Sequence, residues 1–87
     1  MPVLAWTSKA WEDYVYWQTH DKRKCQRINA LIRTALRTPF EGEGKPEPLQ
    51  FQLAGCWSRR IDQEHRLVYS WDNTSRTLTI LQCRYHY

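Results

Sequence analysis

Residues 65–87 read HRLVYSWDNTSRTLTILQCRYHY, and this stretch decides the fold class. Leu67, Tyr69 and Trp71 alternate with Arg66, Val68 and Ser70, the period-2 pattern of a strand whose successive side chains take opposite faces. Asp72, Asn73, Thr74 and Ser75 form a turn signal, so a second strand is expected from Thr77 to the chain end. On that strand Gln82, Arg84 and His86 share one face, opposite Leu81, Cys83 and Tyr85. Arg66 thus lies away from the main apolar stripe or at its margin, and one of the registers open to a neighbouring strand brings His86 near it.

Working back, CWSRRID (residues 56–62) is a further strand, and FEGEGKPEPLQ (residues 40–50) is a loop by its glycines and prolines. Before the loop the period is helical. Cys25, Ile28, Ile32, Ala35 and Leu36 recur at 3.6-residue spacing after Asp21, a good N-cap, and Thr38-Pro39 ends the run because proline disfavours helix in the residue before it. From Lys9 to about Thr19, Ala10, Tyr14 and Trp17 mark a first helix that Thr7 or Ser8 can cap. Two helices this close form an antiparallel hairpin. The opening PVLAWT reads as a strand. The expected fold is α+β, in the order β-α-α-β-β-β: a small antiparallel sheet with a two-helix hairpin on one face.

The 87 residues suffice for one domain, 1–87, with one core. Five Trp, five Tyr and two Phe help fill such a small core and equally suit base stacking. Thirteen basic against nine acidic residues leave a charge of +4, which suits a polyanionic partner as well as an ordinary solvated basic face. Lys22, Arg23, Lys24 and Arg27 cluster on the second helix, and Arg59, Arg60, Arg66 and Arg84 fall in the strands. No stretch approaches the roughly 20 apolar residues of a membrane span. The Met1 segment lacks the pattern of a signal peptide. Three cysteines without CxxC spacing suit free thiols in a reducing cytoplasm.

Cleaving RNA through its own 2′-OH takes a base, a cation for the charge that builds on phosphorus and an acid for the leaving oxygen. Glu47, held between two prolines, Arg66, with a planar fork matched to phosphate, and His86, with its proton-transfer range, are types that could serve, and Tyr87 could stack or donate a proton. Each also has an ordinary surface reading. Cys83 and His86 have metal-like spacing, with Cys56 and His65 as completions, but the second paired motif of a structural zinc site is missing. From the residues alone, the reading stops at a small basic α+β domain suited to RNA.

RTPFEGEGKPEPL (residues 37–49), GCWSRRIDQEHRLVY (55–69) and CRYHY (83–87) closely resemble the YoeB toxins, the Txe/YoeB branch of the RelE superfamily, and SKAWEDYVYWQTHDKRKCQRINALI (8–32) also fits them. The resemblance covers nearly the whole chain. It implies the toxin of a type II toxin–antitoxin pair: a metal-independent, ribosome-dependent endoribonuclease that cuts mRNA in the A site, with no cofactor. By resemblance Glu47 is the general base, Arg66 the phosphate-stabilising arginine, His86 the general acid and Tyr87 the terminal tyrosine. It further implies mRNA or ribosomal RNA contacts for Lys45, Arg59 and Arg60, and for Lys22, Arg23 and Lys24. The implied partners are a YefM-like antitoxin, the 70S ribosome with its mRNA, and a second copy of the chain. A ParE-like gyrase poison and a non-catalytic RNA-binding domain are the alternatives.

Overall fold

The computed structural model describes residues 1–85. Strand β1 (Val3–Trp6) leads into α1 (Ser8–His20) and α2 (Lys22–Arg37), followed by β2 (Glu47–Pro48), a 3-10 turn (Phe51–Leu53), β3 (Trp57–Arg60), β4 (Arg66–Asp72) and β5 (Thr77–Gln82). The strands form one sheet in the order β1-β5-β4-β3-β2. Among the described residues, no helix is long and apolar enough to cross a membrane.

The helical hairpin turns on one residue. Asp21 closes α1, donating its N–H to the Trp17 carbonyl at 2.9 Å. Its carboxylate also accepts from the N–H groups of Arg23 and Lys24, capping α2. Thr7 caps α1, accepting from Ala10 N–H at 3.1 Å, and its hydroxyl donates to the Leu81 carbonyl, joining the helix start to β5. At the other end Thr38 donates back to Thr34 and Pro39 follows, so α2 stops where proline requires.

The hairpin lies on one sheet face. Ala10 and Trp17 of α1 and Ile28, Leu31, Ile32 and Ala35 of α2 pack with Leu67, Tyr69, Leu78, Ile80 and Cys83 in a single buried cluster. Burying such side chains contributes about 2 kcal/mol each, which is why so short a chain can hold its fold. Val68 faces the other way, as alternation requires, and is also buried.

Three features depart from the sequence expectation. First, the sheet is mixed: β2 to β5 pair antiparallel, but β1 runs parallel to β5. Short turns enforce antiparallel pairing between consecutive strands, whereas the helices separate β1 from the others and leave its direction to packing. The parallel register lets Thr7 N–H reach the Ile80 carbonyl at 3.0 Å. Second, β2 lies within the stretch read as loop. Its two residues pair with β3 at the sheet edge, where Pro48 costs no ladder bond. The preceding loop is pressed to the core at Gly44, whose φ is +89° and where an added Cβ would meet Leu31 Cδ2 at 2.7 Å. Third, β5 ends at Gln82, and Cys83, Arg84 and Tyr85 lie outside the strand expected to include them. Val68 opposes Gln82 while Tyr69 opposes Ile80, so Leu81 is an extra residue in the ladder. This bulge bends the strand and sends Cys83 into the core.

Candidate active site on the sheet face opposite the helices

The register assembles the candidate residues. Glu47 opposes Ser58, and Ser58 in turn opposes Val68, which opposes Gln82. Directly opposed residues share a face, so Glu47 belongs to the face turned from the helices. One step along, Arg60 opposes Arg66 on that same face. Glu47 and Arg66 lie two strands and two residues apart, so their backbones stand about 12 Å from one another. Long side chains from both ends can therefore address one phosphodiester between them.

Arg66 is held rather than loose. Its Nη1 donates to the carbonyls of Asp62 at 2.7 Å and His65 at 3.1 Å. Its backbone N–H donates to the Tyr85 carbonyl at 3.1 Å, which brings the residue before His86 against Arg66. Arg60 is exposed, and two guanidinium-bearing residues set directly opposite repel unless an anion lies between them. Glu47 and Lys45 are exposed at the sheet edge, Lys45 with a left-handed φ of +52°. His86 and Tyr87 lie outside the described residues.

Arg59 corrects the sequence reading. It is 0% exposed, on the helix face. Its Nε donates to the Tyr69 hydroxyl at 2.9 Å, Nη1 to the Glu43 carbonyl at 2.8 Å, and Nη2 to the carbonyls of Thr38 and Glu41 at 2.6 and 3.0 Å. The guanidinium thus pins the 38–43 loop to the core and has no face to offer RNA. The Tyr69 hydroxyl donates in turn to the Pro39 carbonyl at 2.6 Å, and burial raises its phenol pKa despite the nearby Arg59 charge. Arg84, expected within the last strand, lies beyond β5, with its guanidinium carbon 3.5 Å from the Tyr16 ring centre.

The basic helix cluster divides in the same way. Lys22 and Arg23 are exposed. Lys24 pairs with Asp62 at 2.8 Å and Asp21 at 3.6 Å, and its ammonium lies 5.6 Å from the Trp17 ring centre. Those ties raise its pKa, the Asp62 bond foremost, and make it a fold contact more than an RNA contact. Burial alone would raise the Asp62 carboxyl. The Lys24 bond and the N–H groups of His65 and Glu64 outweigh it and lower the pKa to about 2. Arg27 pairs with Glu43 and donates to the Arg60 carbonyl at 3.1 Å.

Comparison with known proteins decides the family. Residues 6–87 match the YoeB-like toxin of the bacterial type II toxin–antitoxin system. The chain belongs to the YoeB toxin family. It is 57% identical to toxin YoeB of Escherichia coli K12 over 84 residues, 97% of this chain and 98% of that one. The YoeB/ParE toxin from Agrobacterium tumefaciens superposes with a TM-score of 0.95 at 53% identity, over 98% of this chain and 99% of that one. YoeB of Staphylococcus aureus, solved in a heterotetrameric complex with YefM, gives a TM-score of 0.89 at 42% identity, over 100% of this chain and 99% of that one. A YoeB dimer from Staphylococcus aureus superposes with a TM-score of 0.90 at 42% identity, over 99% of this chain and 98% of that one. This chain is therefore a toxin of a type II toxin–antitoxin system, and its β-α-α-β-β-β fold is the family's.

The sequence reading missed the residues behind the site. Asp13, three residues after Ala10 and four before Trp17, lies on the apolar stripe of α1 and is buried. It pairs with Lys9 at 2.8 Å and accepts from Cys83 N–H at 3.1 Å. A carboxylate on an apolar stripe was the available signal. His65, weighed only as a zinc ligand, is buried and accepts at Nδ1 from Tyr85 N–H at 2.7 Å. Cys83 is equally occupied: burial, with the Asp13 carboxylate beside it, pushes its thiol up to about 12.

Proposed function

We propose that this toxin is a ribosome-dependent endoribonuclease that cleaves mRNA in the A site. The observation that carries the reading is the register, with Glu47 at one edge of the open sheet face and the opposed pair Arg60 and Arg66 two strands away. Glu47 takes the proton of a ribose 2′-OH, and the oxygen attacks the adjacent phosphorus. Arg66, its fork fixed by two carbonyls, meets the negative charge that builds on the phosphoryl oxygens. The bond from phosphorus to the 5′-oxygen breaks and His86 supplies the proton to that oxygen. The products are a 2′,3′-cyclic phosphate and a free 5′-OH. Tyr87 stacks on or hydrogen-bonds the substrate, Lys45 and Arg60 contact neighbouring phosphates, and Lys22 and Arg23 contact ribosomal RNA. The roles of His86 and Tyr87 rest on the family resemblance.

The partners follow from the same reading: the 70S ribosome with its mRNA, a YefM-like antitoxin, a second copy of the chain, and a cytoplasmic setting. The Staphylococcus aureus complex and dimer support the antitoxin and the second copy. Primer extension on programmed ribosomes tests the activity. Wild-type protein should cut at the A site, and Glu47→Gln, Arg66→Ala and a chain lacking His86 and Tyr87 should each cut at least about a hundredfold more slowly. A folded wild-type chain that leaves mRNA intact but inhibits gyrase supercoiling would refute the reading in favour of a gyrase poison. RNA binding without cleavage in any form would refute it in favour of a simple RNA-binding domain.

A further inference from the structure

Beyond β5 the backbone is fixed at every second residue. Cys83 donates its N–H to Asp13 Oδ2 at 3.1 Å, and its carbonyl accepts from Trp17 Nε1 at 2.8 Å. Tyr85 then adopts a left-handed φ of +68°, a strained conformation for a bulky residue that persists only where its surroundings impose it. Both peptide groups around it are held. Its N–H donates to His65 Nδ1 at 2.7 Å, and its carbonyl accepts from Arg66 N–H at 3.1 Å. Two consecutive residues of β4 and its approach thus grip the residue before His86, and the second of them is the candidate phosphate arginine.

His65 is built for this task. It is 6% exposed and lies edge-on to Trp17, with ring centres 4.8 Å apart. An acceptor at Nδ1 must carry its lone pair there, which leaves Nε2 as the ring's donor. Nε2 lies 3.6 Å from Glu64 Oε1, on the side that favours this tautomer. Its own N–H is held by Asp62 Oδ1 at 2.7 Å, and that carboxylate is paired with Lys24.

We infer that His65 is a positioning residue: its Nδ1, together with the Arg66 N–H, fixes the strained backbone of Tyr85, the residue that precedes His86 and Tyr87 in the chain. The inference rests on the proposed function for its catalytic consequence and on the Tyr85 contact alone for its structural one. It separates acceptor from bulk, because His65→Phe keeps a ring against Trp17 but has no lone pair, whereas His65→Asn places Oδ1 near the position of Nδ1.

Two readouts test it on the full chain: hydrogen exchange at the Tyr85 amide by NMR, and single-turnover mRNA cleavage on programmed ribosomes. In His65→Phe, Tyr85 protection should fall by about tenfold or more. The cleavage rate at saturating ribosomes should fall about a hundredfold, with half-saturation within about twofold of wild type. His65→Asn should keep most of both. His65→Leu serves as the apolar variant if the larger ring prevents folding. Full Tyr85 protection in the apolar variant, or Asn as impaired as Phe, overturns the inference. If the wild-type chain cleaves nothing, the proposed function fails by itself. The exchange comparison then still decides whether His65 holds Tyr85, and equal protection in wild type and apolar variant overturns that as well.

Discussion

Replacing Arg59 by Met should cost the fold much and RNA affinity nothing directly. The guanidinium makes four hydrogen bonds, to the Tyr69 hydroxyl and to the carbonyls of Thr38, Glu41 and Glu43. A bond from a charged donor contributes about 1.5–3 kcal/mol net, and removing one partner of a buried group also strands its acceptors. Two offsets apply. The Glu41 and Glu43 carbonyls belong to exposed residues and can regain water, and Tyr69 keeps its bond to the Pro39 carbonyl. Met also restores the apolar bulk of the stem. The expected loss is therefore about 3 kcal/mol, against a total stability of about 4–13 kcal/mol for a chain this long. With a urea slope near 1.5 kcal/mol/M the midpoint should fall by about 2 M. Arg59→Lys keeps the charge but not the fork and should fall between the two. Urea unfolding followed by tryptophan fluorescence measures this, alongside RNA binding under conditions where each variant is folded. A midpoint within about 0.5 M of wild type, together with weakened RNA binding, would show that Arg59 meets phosphate and that its burial was misjudged.

Two further outcomes follow from the titrating groups. Cys83 should resist iodoacetamide at pH 8 while Cys25 and Cys56, both partly exposed, react; mass spectrometry of the native protein reads this, and rapid Cys83 labelling before unfolding would contradict its raised pKa and burial. The Asp62 pKa is depressed in the fold from 3.8 to about 2, so its contribution is fully present above the unfolded value and is lost as pH falls through the folded one. Acid titration of Asp62→Asn should accordingly show a weaker pH dependence of stability between about pH 4 and 2 than wild type, and parallel curves would sink the assignment.

The periodic elements were legible because their causes are local. Asp21 and Thr7 announced the helix starts through their own side chains, and the alternation at Leu67, Tyr69 and Trp71 gave the buried face of β4. The same alternation, applied to Trp57-Ser58-Arg59-Arg60, puts Arg59 beside Trp57 and away from Arg60. Giving both arginines an RNA contact by resemblance passed over the strand's period. The parallel direction of β1 and the extra Leu81 in β5 depend on contacts between distant segments, which no local pattern carries. Glu47, Arg66, His86 and Tyr87 were singled out by residue type and family likeness. The sheet register then supplied what type alone could not, the common face of Glu47 and Arg66. His65 and Asp13 look ordinary in sequence because each acts through a backbone contact, to Tyr85 and to Cys83.

The strand order has a consequence for how the molecule comes into being. β5 is synthesised after the other four strands but sits between β1 and β4. A growing chain therefore has a slot in its sheet until that segment emerges, and Leu78, Ile80 and Cys83 are missing from the core. The first strand must wait for the last, a long-range closure that slows folding. Such a chain cannot take up this sheet until residues 77–82 have been made, and a message interrupted before them yields an open sheet.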